Sequence, residues 1–266
     1  MSTTDIQQTA DEPQPRAEAG AAAPSETADT PRRRDGPNRS PANDLWYQSL
    51  KVLTRMALPV LFRFRGGGRE HLHFDGAGLL IANHQSHLDP LLIGAAADRR
   101  LNYLARESLF RFPPLRWLIR SLGAIPIDRD GSGLGGLKET LNRLKQGELV
   151  LIFAEGTRTP DGAVHPLKPG FLPLARRGGV PLVPVGIDGA FEAWPRSRRF
   201  PTVATIRVEI GPPLLPEEFD LMSDEALLAE MHRRVAACHQ RAGRLRRRGS
   251  LPVRTEPSRS AKDIAN

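Results

Sequence analysis

The residues best suited to chemistry lie in one octapeptide, Asn83-His84-Gln85-Ser86-His87-Leu88-Asp89-Pro90. An imidazole titrates near neutrality, and an acceptor on one ring nitrogen fixes its tautomer and strengthens the other nitrogen as a base. His84 with Asp89 offers that pairing: a histidine general base steered by a carboxylate. The same residues support other readings. Asp89 also suits a helix cap, His84 a hydrogen-bonded loop histidine, and His84, His87 and Asp89 the beginning of a zinc set. A hydrolytic zinc needs three ligands of suitable geometry, and neither a Cys pair nor an HExxH accompanies these residues. No metal is expected.

The flanking segments say how such a group would be positioned. Gly78-Leu79-Leu80-Ile81-Ala82 is an apolar run without helical period and reads as a buried strand. Asp is a preferred N-cap and Pro is favoured at the first helical position, so a helix is predicted from Asp89-Pro90 to Ala97. Strand, tight polar loop and helix start together put the histidines at a strand's carboxyl end, where ligands and catalytic groups collect in open α/β sheets.

Further along, strands are predicted at 101–104, 123–129, 149–153, 180–187 and 202–210, with helices at 110–122, 137–145, 171–177 and 223–240. Two prolines in 180–187 argue for an irregular or edge strand. Strands separated by helices imply an α/β layered domain with a mostly parallel central sheet. Residues 44–65 mix Leu, Trp, Tyr, Val and Met with Lys51, Arg55, Arg63 and Arg65. Leu45, Leu50, Leu53, Ala57 and Leu61 fall roughly on one helical face, and Pro59 is expected to kink or split the segment. Such a face suits the plane of a membrane interface, or packing on the domain. Gly66-Gly67-Gly68 reads as a flexible joint.

At 266 residues and 39% hydrophobic content, the chain can bury one core of about 200 residues once its ends are set aside. The net charge of +8 is unevenly placed: residues 241–266 hold eight basic against two acidic side chains, whereas 1–40 hold five against seven. Residues 1–43, rich in Ala, Pro, Ser, Thr and acids, are expected to be disordered, and 241–266 to form a basic flexible tail. Cys238 is the only cysteine, which excludes an internal disulfide and fits a reducing compartment. No secretory signal or membrane-spanning run is visible. The organisation expected is therefore tail 1–43, amphipathic interface helices 44–65, main domain 66–240 and tail 241–266.

Four stretches in order resemble the glycerolipid acyltransferase family, and within it the 1-acylglycerol-3-phosphate O-acyltransferases. They are His84 to Asp89 (an H-x4-D motif), Gly123 to Arg129, Phe153 to Arg158, and Val180 to Ile187. The resemblance covers about residues 75–215. One departure is Ala154, where the family usually has Pro.

The resemblance implies transfer of a fatty acyl group from a thioester, acyl-CoA or acyl-carrier protein, to the free hydroxyl of a lysophospholipid. His84 would take the hydroxyl proton, and Asp89 would orient it as the acid of a Ser-His-Asp triad does. The substrate's own hydroxyl replaces the serine, so no acyl-enzyme is required, and no G-x-S-x-G elbow occurs in the chain. Ser86 and Asn83 are read as accessory loop residues. The acceptor phosphate would be gripped by Arg158, with Arg129 as the next cation. Glu155 would fix Arg158 or meet the glycerol moiety. Gly156 and Thr157 would bring backbone close to the ligand, with Gly156 offering an N–H, and Lys168 would add charge. No cofactor is implied beyond the acyl thioester as co-substrate.

Both acceptor and product would be lipids, so peripheral association with the cytoplasmic face of a membrane is expected. Segment 44–65 and the Arg241–Arg248 cluster would be its apolar and electrostatic anchors on anionic lipid. The alternatives are the same chemistry on another lysolipid or on glycerol 3-phosphate, a catalytically silent lipid-binding scaffold, and a nucleic-acid module. The last rests on basicity alone and has no recognition motif or aromatic platform behind it.

Overall fold

In the computed structural model, which describes residues 41–127 and 134–250, the strand before the octapeptide is fully buried on both faces. This is strand β2, Gly78–Ala82. Its side chains alternate between two layers. Leu80 and Ala82 join one apolar cluster with Leu58, Phe62, Leu92 and Ile93. Leu79 and Ile81 join another with Leu144, Leu172, Leu174, Met231 and Val235. A strand with helices on both faces needs apolar side chains at every position, which is why this run shows no alternation in sequence.

The remaining strands are β1 (Arg65–Gly67), β3 (Leu101–Arg106), β4 (Ala124–Ile127), β5 (Leu149–Phe153), β6 (Leu182–Asp188) and β7 (Arg207–Ile210). The helices are α1 (Pro41–Phe62), α2 (Asp89–Ala96), α3 (Pro113–Ser121) and α4 (Leu134–Lys145). They continue with α5 (Leu172–Gly178), α6 (Ala190–Ala193), α7 (Pro216–Phe219) and α8 (Asp224–Ser250). The sheet order is β1-β7-β6-β2-β5-β3-β4. Every pairing is parallel except β6 with β7. The fold is thus a mostly parallel seven-stranded α/β sheet flanked by helices.

Several local expectations are corrected. Strand β6 is interior, not an edge, despite Pro184. The Pro184 carbonyl accepts the Gly211 N–H at 2.8 Å. The antiparallel register with β7 starts only at Val185↔Ile210, so the N–H that proline lacks falls at the end of that ladder. The glycine run is no joint. Gly66 and Gly67 lie in β1, where a Cβ on Gly66 would stand 2.8 Å from the Ala96 methyl and one on Gly67 2.5 Å from the Glu209 carboxylate. Gly68 follows at φ +78°, with no room for a side chain beside the Ile210 carbonyl oxygen. These glycines permit close approach of neighbouring elements.

Helix α1 runs unbroken through Pro59, which sits near its C-terminal end. Its inward residues are Tyr47, Thr54, Leu58 and Phe62, while Leu45, Leu53 and Leu61 of the predicted apolar face are exposed, as are Met56 and Val60, so that face is not the one packed on the domain. The predicted tail from 241 is, as far as Ser250, the end of α8. Arg241 pairs with Glu209 at 3.1 Å, and Arg246 pairs with Asp188 and with Glu192. Of the disorder predicted for 1–43, residues 41–43 are instead the first turn of α1; residues 1–40 and the tail 251–266 lie outside the described residues, as does Arg129.

Candidate active site

Parallel register brings three loops to one sheet edge. Ala82, the last residue of β2, is opposite Phe153 of β5 on one side and Val185 of β6 on the other. The segments that follow, 83–88, 154–159 and 189–191, therefore leave the sheet side by side. Asn83 staples the first to β6: its amide donates to the Ile187 carbonyl at 3.0 Å and accepts the Ile187 N–H at 2.8 Å. Asn83 is fully buried, so both halves of its carboxamide are spent on holding the loop.

Within that loop His84 Nδ1 lies 2.7 Å from Asp89 Oδ2. The same oxygen accepts the backbone N–H of Gln85 at 2.6 Å and of Ser86 at 2.8 Å. Asp89 is the first residue of α2, preceded by Leu88 at the cap position, and its carboxylate turns back to the loop instead of capping the helix. Three donors fix the carboxylate, and the carboxylate fixes the imidazole. With Nδ1–H directed to Asp89, Nε2 carries the lone pair. Nε2 has no hydrogen bond among the described residues, and the His84 side chain keeps 16% of its surface open. The ring stacks on Phe153 with centroids 4.1 Å apart and planes 19° apart. Ser86 is buried, and its Oγ accepts the Leu88 N–H at 3.2 Å, the part of a turn residue.

Sequence reasoning missed Gln85 and Phe153. Gln85 is buried, with Nε2 donating to the Gly162 carbonyl at 2.7 Å and Oε1 accepting the N–H groups of Ala190 and Phe191 at 3.1 and 3.2 Å. It binds the three loops to one another. The signal available was a second uncharged amide flanking a histidine in a loop too short to expose everything. For Phe153 it was the final position of an apolar strand whose register with β2 only the sheet reveals.

The β5 loop crosses beside His84, whose carbonyl accepts the Thr159 N–H at 2.7 Å. Glu155 does not touch Arg158. Its carboxyl is buried beneath the His84 amide, accepting that N–H at 3.4 Å, and Oε2 has no partner among the described residues. Burial pushes this carboxyl up to about 7, only partly opposed by the His84 amide. Gly156 has φ +74°, and the Lys168 side chain passes over it at a distance that would leave a Cβ only 3.0 Å of clearance. Its N–H donates to the Phe153 carbonyl at 3.1 Å, so the donor expected to meet a ligand is committed to the turn. Thr157 is exposed at the tip.

Arg158 is half-buried, and its Nη1 is buried with no hydrogen-bond partner among the described residues. Burial, then the nearby charge of Arg196, holds its pKa below the usual guanidinium value, with Asp89 opposing. Beside it, burial, Arg158 and His84 together lower His87, whose ring meets that of Trp194 at 5.3 Å. The cluster thus presents a carboxylate-oriented imidazole beside a guanidinium that makes no ion pair among the described residues, an arrangement able to take a proton beside a bound anion. A separate cleft of about 1330 Å³ opens at the β4 edge, lined by Trp46, Trp117, Arg116, Arg120 and others. It contains none of the residues just described, and the proton-transfer geometry lies in the loop cluster.

The profile of the family described as Acyltransferase matches residues 63–188, the span from β1 to the end of β6. The chain is 29% identical over 180 residues to the 1-acyl-sn-glycerol-3-phosphate acyltransferase of Bacillus subtilis, covering 66% of this chain and 87% of that one. It is 31% identical to the chloroplastic enzyme of the same name from Brassica napus over 57% of this chain, and spans less than half (45%) of that relative's length. Among solved structures it superposes on the 1-acyl-sn-glycerophosphate (LPA) acyltransferase PlsC of Thermotoga maritima with a TM-score of 0.66 and 28% identity, covering 77% of this chain and 81% of that one.

Proposed function

Starting from the match of residues 63–188 to the acyltransferase family, we propose that the chain moves a fatty acyl group from acyl-CoA or acyl-carrier protein to the sn-2 hydroxyl of 1-acylglycerol-3-phosphate, forming phosphatidic acid. The observation that carries the mechanism is the 2.7 Å contact between His84 Nδ1 and Asp89 Oδ2. It leaves Nε2 as the basic atom at an open face of the ring.

In this reading His84 Nε2 removes the acceptor's hydroxyl proton as the oxygen attacks the thioester carbonyl carbon. The tetrahedral intermediate then collapses with cleavage of the carbon–sulfur bond. The departing thiolate takes the proton back from the imidazolium and leaves as the thiol. Asp89 stabilises the imidazolium between these events. Phe153 keeps the ring from rotating by stacking on one face. Arg158 supplies the charge that holds the acceptor's phosphate, which accounts for a guanidinium kept partly buried without a carboxylate partner. Lys168 adds a second positive charge at the Gly156 turn. Asn83 and Ser86 act by holding the loop, and Glu155 by supporting the His84 backbone from below.

Among the described residues no helix is long and apolar enough to cross a membrane. Peripheral attachment to the cytoplasmic face is the mode we propose. Attachment to a bilayer surface is supported by the outward residues of α1, by Phe112 just before α3 and by Trp117 within it, both exposed. The two helices are joined by the Trp46–Trp117 ring contact at 5.2 Å, and aromatic side chains favour the headgroup level.

The test is transfer from labelled palmitoyl-CoA to 1-oleoyl-lysophosphatidic acid in detergent micelles, comparing wild type with a folded His84→Ala. Turnover by the wild type and its loss in the variant are expected. Equal turnover by both would remove His84 as the base. Inactivity of the wild type with CoA and carrier-protein donors across a panel of lysolipids would favour a lipid-binding scaffold.

A further inference from the structure

Two arginine-bearing segments converge on the turn that carries His84. One is the β5 loop, tied to the turn by the Thr159 N–H on the His84 carbonyl at 2.7 Å. The other is α6 and the loop after it. There Ala190 and Phe191 donate to the Gln85 side chain, and the Trp194 ring meets His87 at 5.3 Å. Arg196 follows Trp194 by two residues.

That loop is built, not loose. The Thr202 N–H donates to the Ala193 carbonyl at 2.8 Å, the Arg198 N–H to Pro195 at 3.2 Å, and the Trp194 indole to the Arg198 carbonyl at 3.0 Å. Its cations have different uses. Arg198 is committed to the Glu192 carbonyl and the Thr202 hydroxyl, and Arg199 lies over the Phe200 ring. Arg196 makes no hydrogen bond or ion pair among the described residues, and neither does Arg158. Of the nearby charges acting on Arg158, that of Arg196 most disfavours its cationic form. Two guanidiniums on segments that converge on one turn, neither in a hydrogen bond or ion pair with an acid among the described residues, make a site that an anion would complete.

We propose that Arg196 is a second phosphate-binding residue of the acceptor site, acting with Arg158 beside the His84–His87 turn. The ligand chemistry is a phosphate monoester, whose double negative charge suits two guanidiniums better than one. Lysolipids with a single diffuse charge or none would bind the same cradle poorly, so Arg196 would contribute to acceptor selection. The role rests on the acyl-transfer reading above, and its test is arranged so that the two stand or fall separately.

Wild type, Arg196→Ala, Arg196→Lys and Arg199→Ala are compared, the last removing the same charge from the same loop. Two readouts are taken: steady-state kinetics with palmitoyl-CoA and 1-oleoyl-lysophosphatidic acid in neutral micelles, and calorimetric binding of 1-oleoyl-lysophosphatidic acid without donor. For Arg196→Ala a rise of about ten- to a hundredfold in KM for the acceptor and in its Kd is expected, the scale of one charge-assisted hydrogen bond. KM for the donor should not move, Arg196→Lys should recover part of the loss, and Arg199→Ala should match wild type. Unchanged acceptor KM and Kd in Arg196→Ala would overturn the proposal, as would an equal effect in Arg199→Ala or no binding by wild type. Weakened binding to anionic vesicles with unchanged micellar KM and Kd would also overturn it, making Arg196 a surface contact for membrane lipid. An inactive wild type that still binds the lysolipid through Arg196 would retain the site and refute the acyl-transfer reading.

Discussion

Replacing Glu155 with Gln should change how stability depends on pH. The carboxyl is only 3% exposed, and burial raises it from its ordinary 4.5 to about 7. The folded protein therefore holds this proton more tightly than the unfolded chain. Its stability falls as pH rises from about 4.5 through about 7, then levels off above that range. At about 1.4 kcal/mol per pH unit, the full loss is about 3 kcal/mol, of which about 2.5 kcal/mol accrues between about pH 5 and about pH 8. Glutamine does not titrate, so in the difference between the two proteins every shared group cancels. Urea unfolding of wild type and Glu155→Gln at several pH values should show the variant gaining about 2.5 kcal/mol on wild type across that interval, whatever the offset at the acid end. Parallel curves would refute the reasoning, and so would a variant that loses ground as pH rises. Either result would mean that the ionised carboxylate has a partner strong enough to offset its burial.

Asp89→Asn should keep the fold but present the wrong donor to His84 Nδ1, lowering kcat by about a thousandfold or more with a smaller change in KM, as read from micellar kinetics. Gln85→Ala removes the partners of the Gly162 carbonyl and of the Ala190 and Phe191 N–H groups. It should lower unfolding free energy by roughly 3 kcal/mol in urea titrations. A loss below about 1 kcal/mol would mean that water replaces the side chain. Leu53→Glu with Met56→Glu, both on the exposed face of α1, should reduce sedimentation with anionic vesicles while leaving the melting temperature within a few degrees of wild type. Unchanged sedimentation would move the membrane contact elsewhere.

The strand, turn and helix around His84 were legible because each announces itself locally. Leu79 to Ala82 has no polar position, and Pro90 can begin a helix but not continue one. Features that depend on a neighbour were not. A proline argues against an interior strand until one sees that the bond missing at Pro184 lies beyond the end of the β7 ladder. The glycines at 66–68 look like slack, and only the Ala96 methyl, the Glu209 carboxylate and the Ile210 carbonyl show them to be clearance. Helix α1 carries apolar residues on more than one face, so periodicity had no single solution, and packing against α2 selected Leu58 and Phe62. In the site, Glu155 and Arg158 were expected together because they are close in sequence. The turn at Gly156 sends one beneath His84 and the other to the side of His87 and Arg196.

The hydrogen bonds that tie the His84 turn to β6, α6 and the β5 loop mostly reach main-chain groups there: Thr159 N–H, the Gly162 carbonyl, the N–H and carbonyl of Ile187, and the N–H groups of Ala190 and Phe191. Every residue except proline carries such a donor. These bonds therefore place no demand on the side chains at 159, 187, 190 and 191 beyond excluding proline; the demand at 187 and 190 comes from packing, since both are fully buried in the core. Demands for particular side chains fall instead on the stretch from 83 to 89 and on Phe153 and Glu155, whose side chains meet His84 directly. A site so supported can be carried between distant homologues by that stretch and those two residues while the rest of the loops diverge around it.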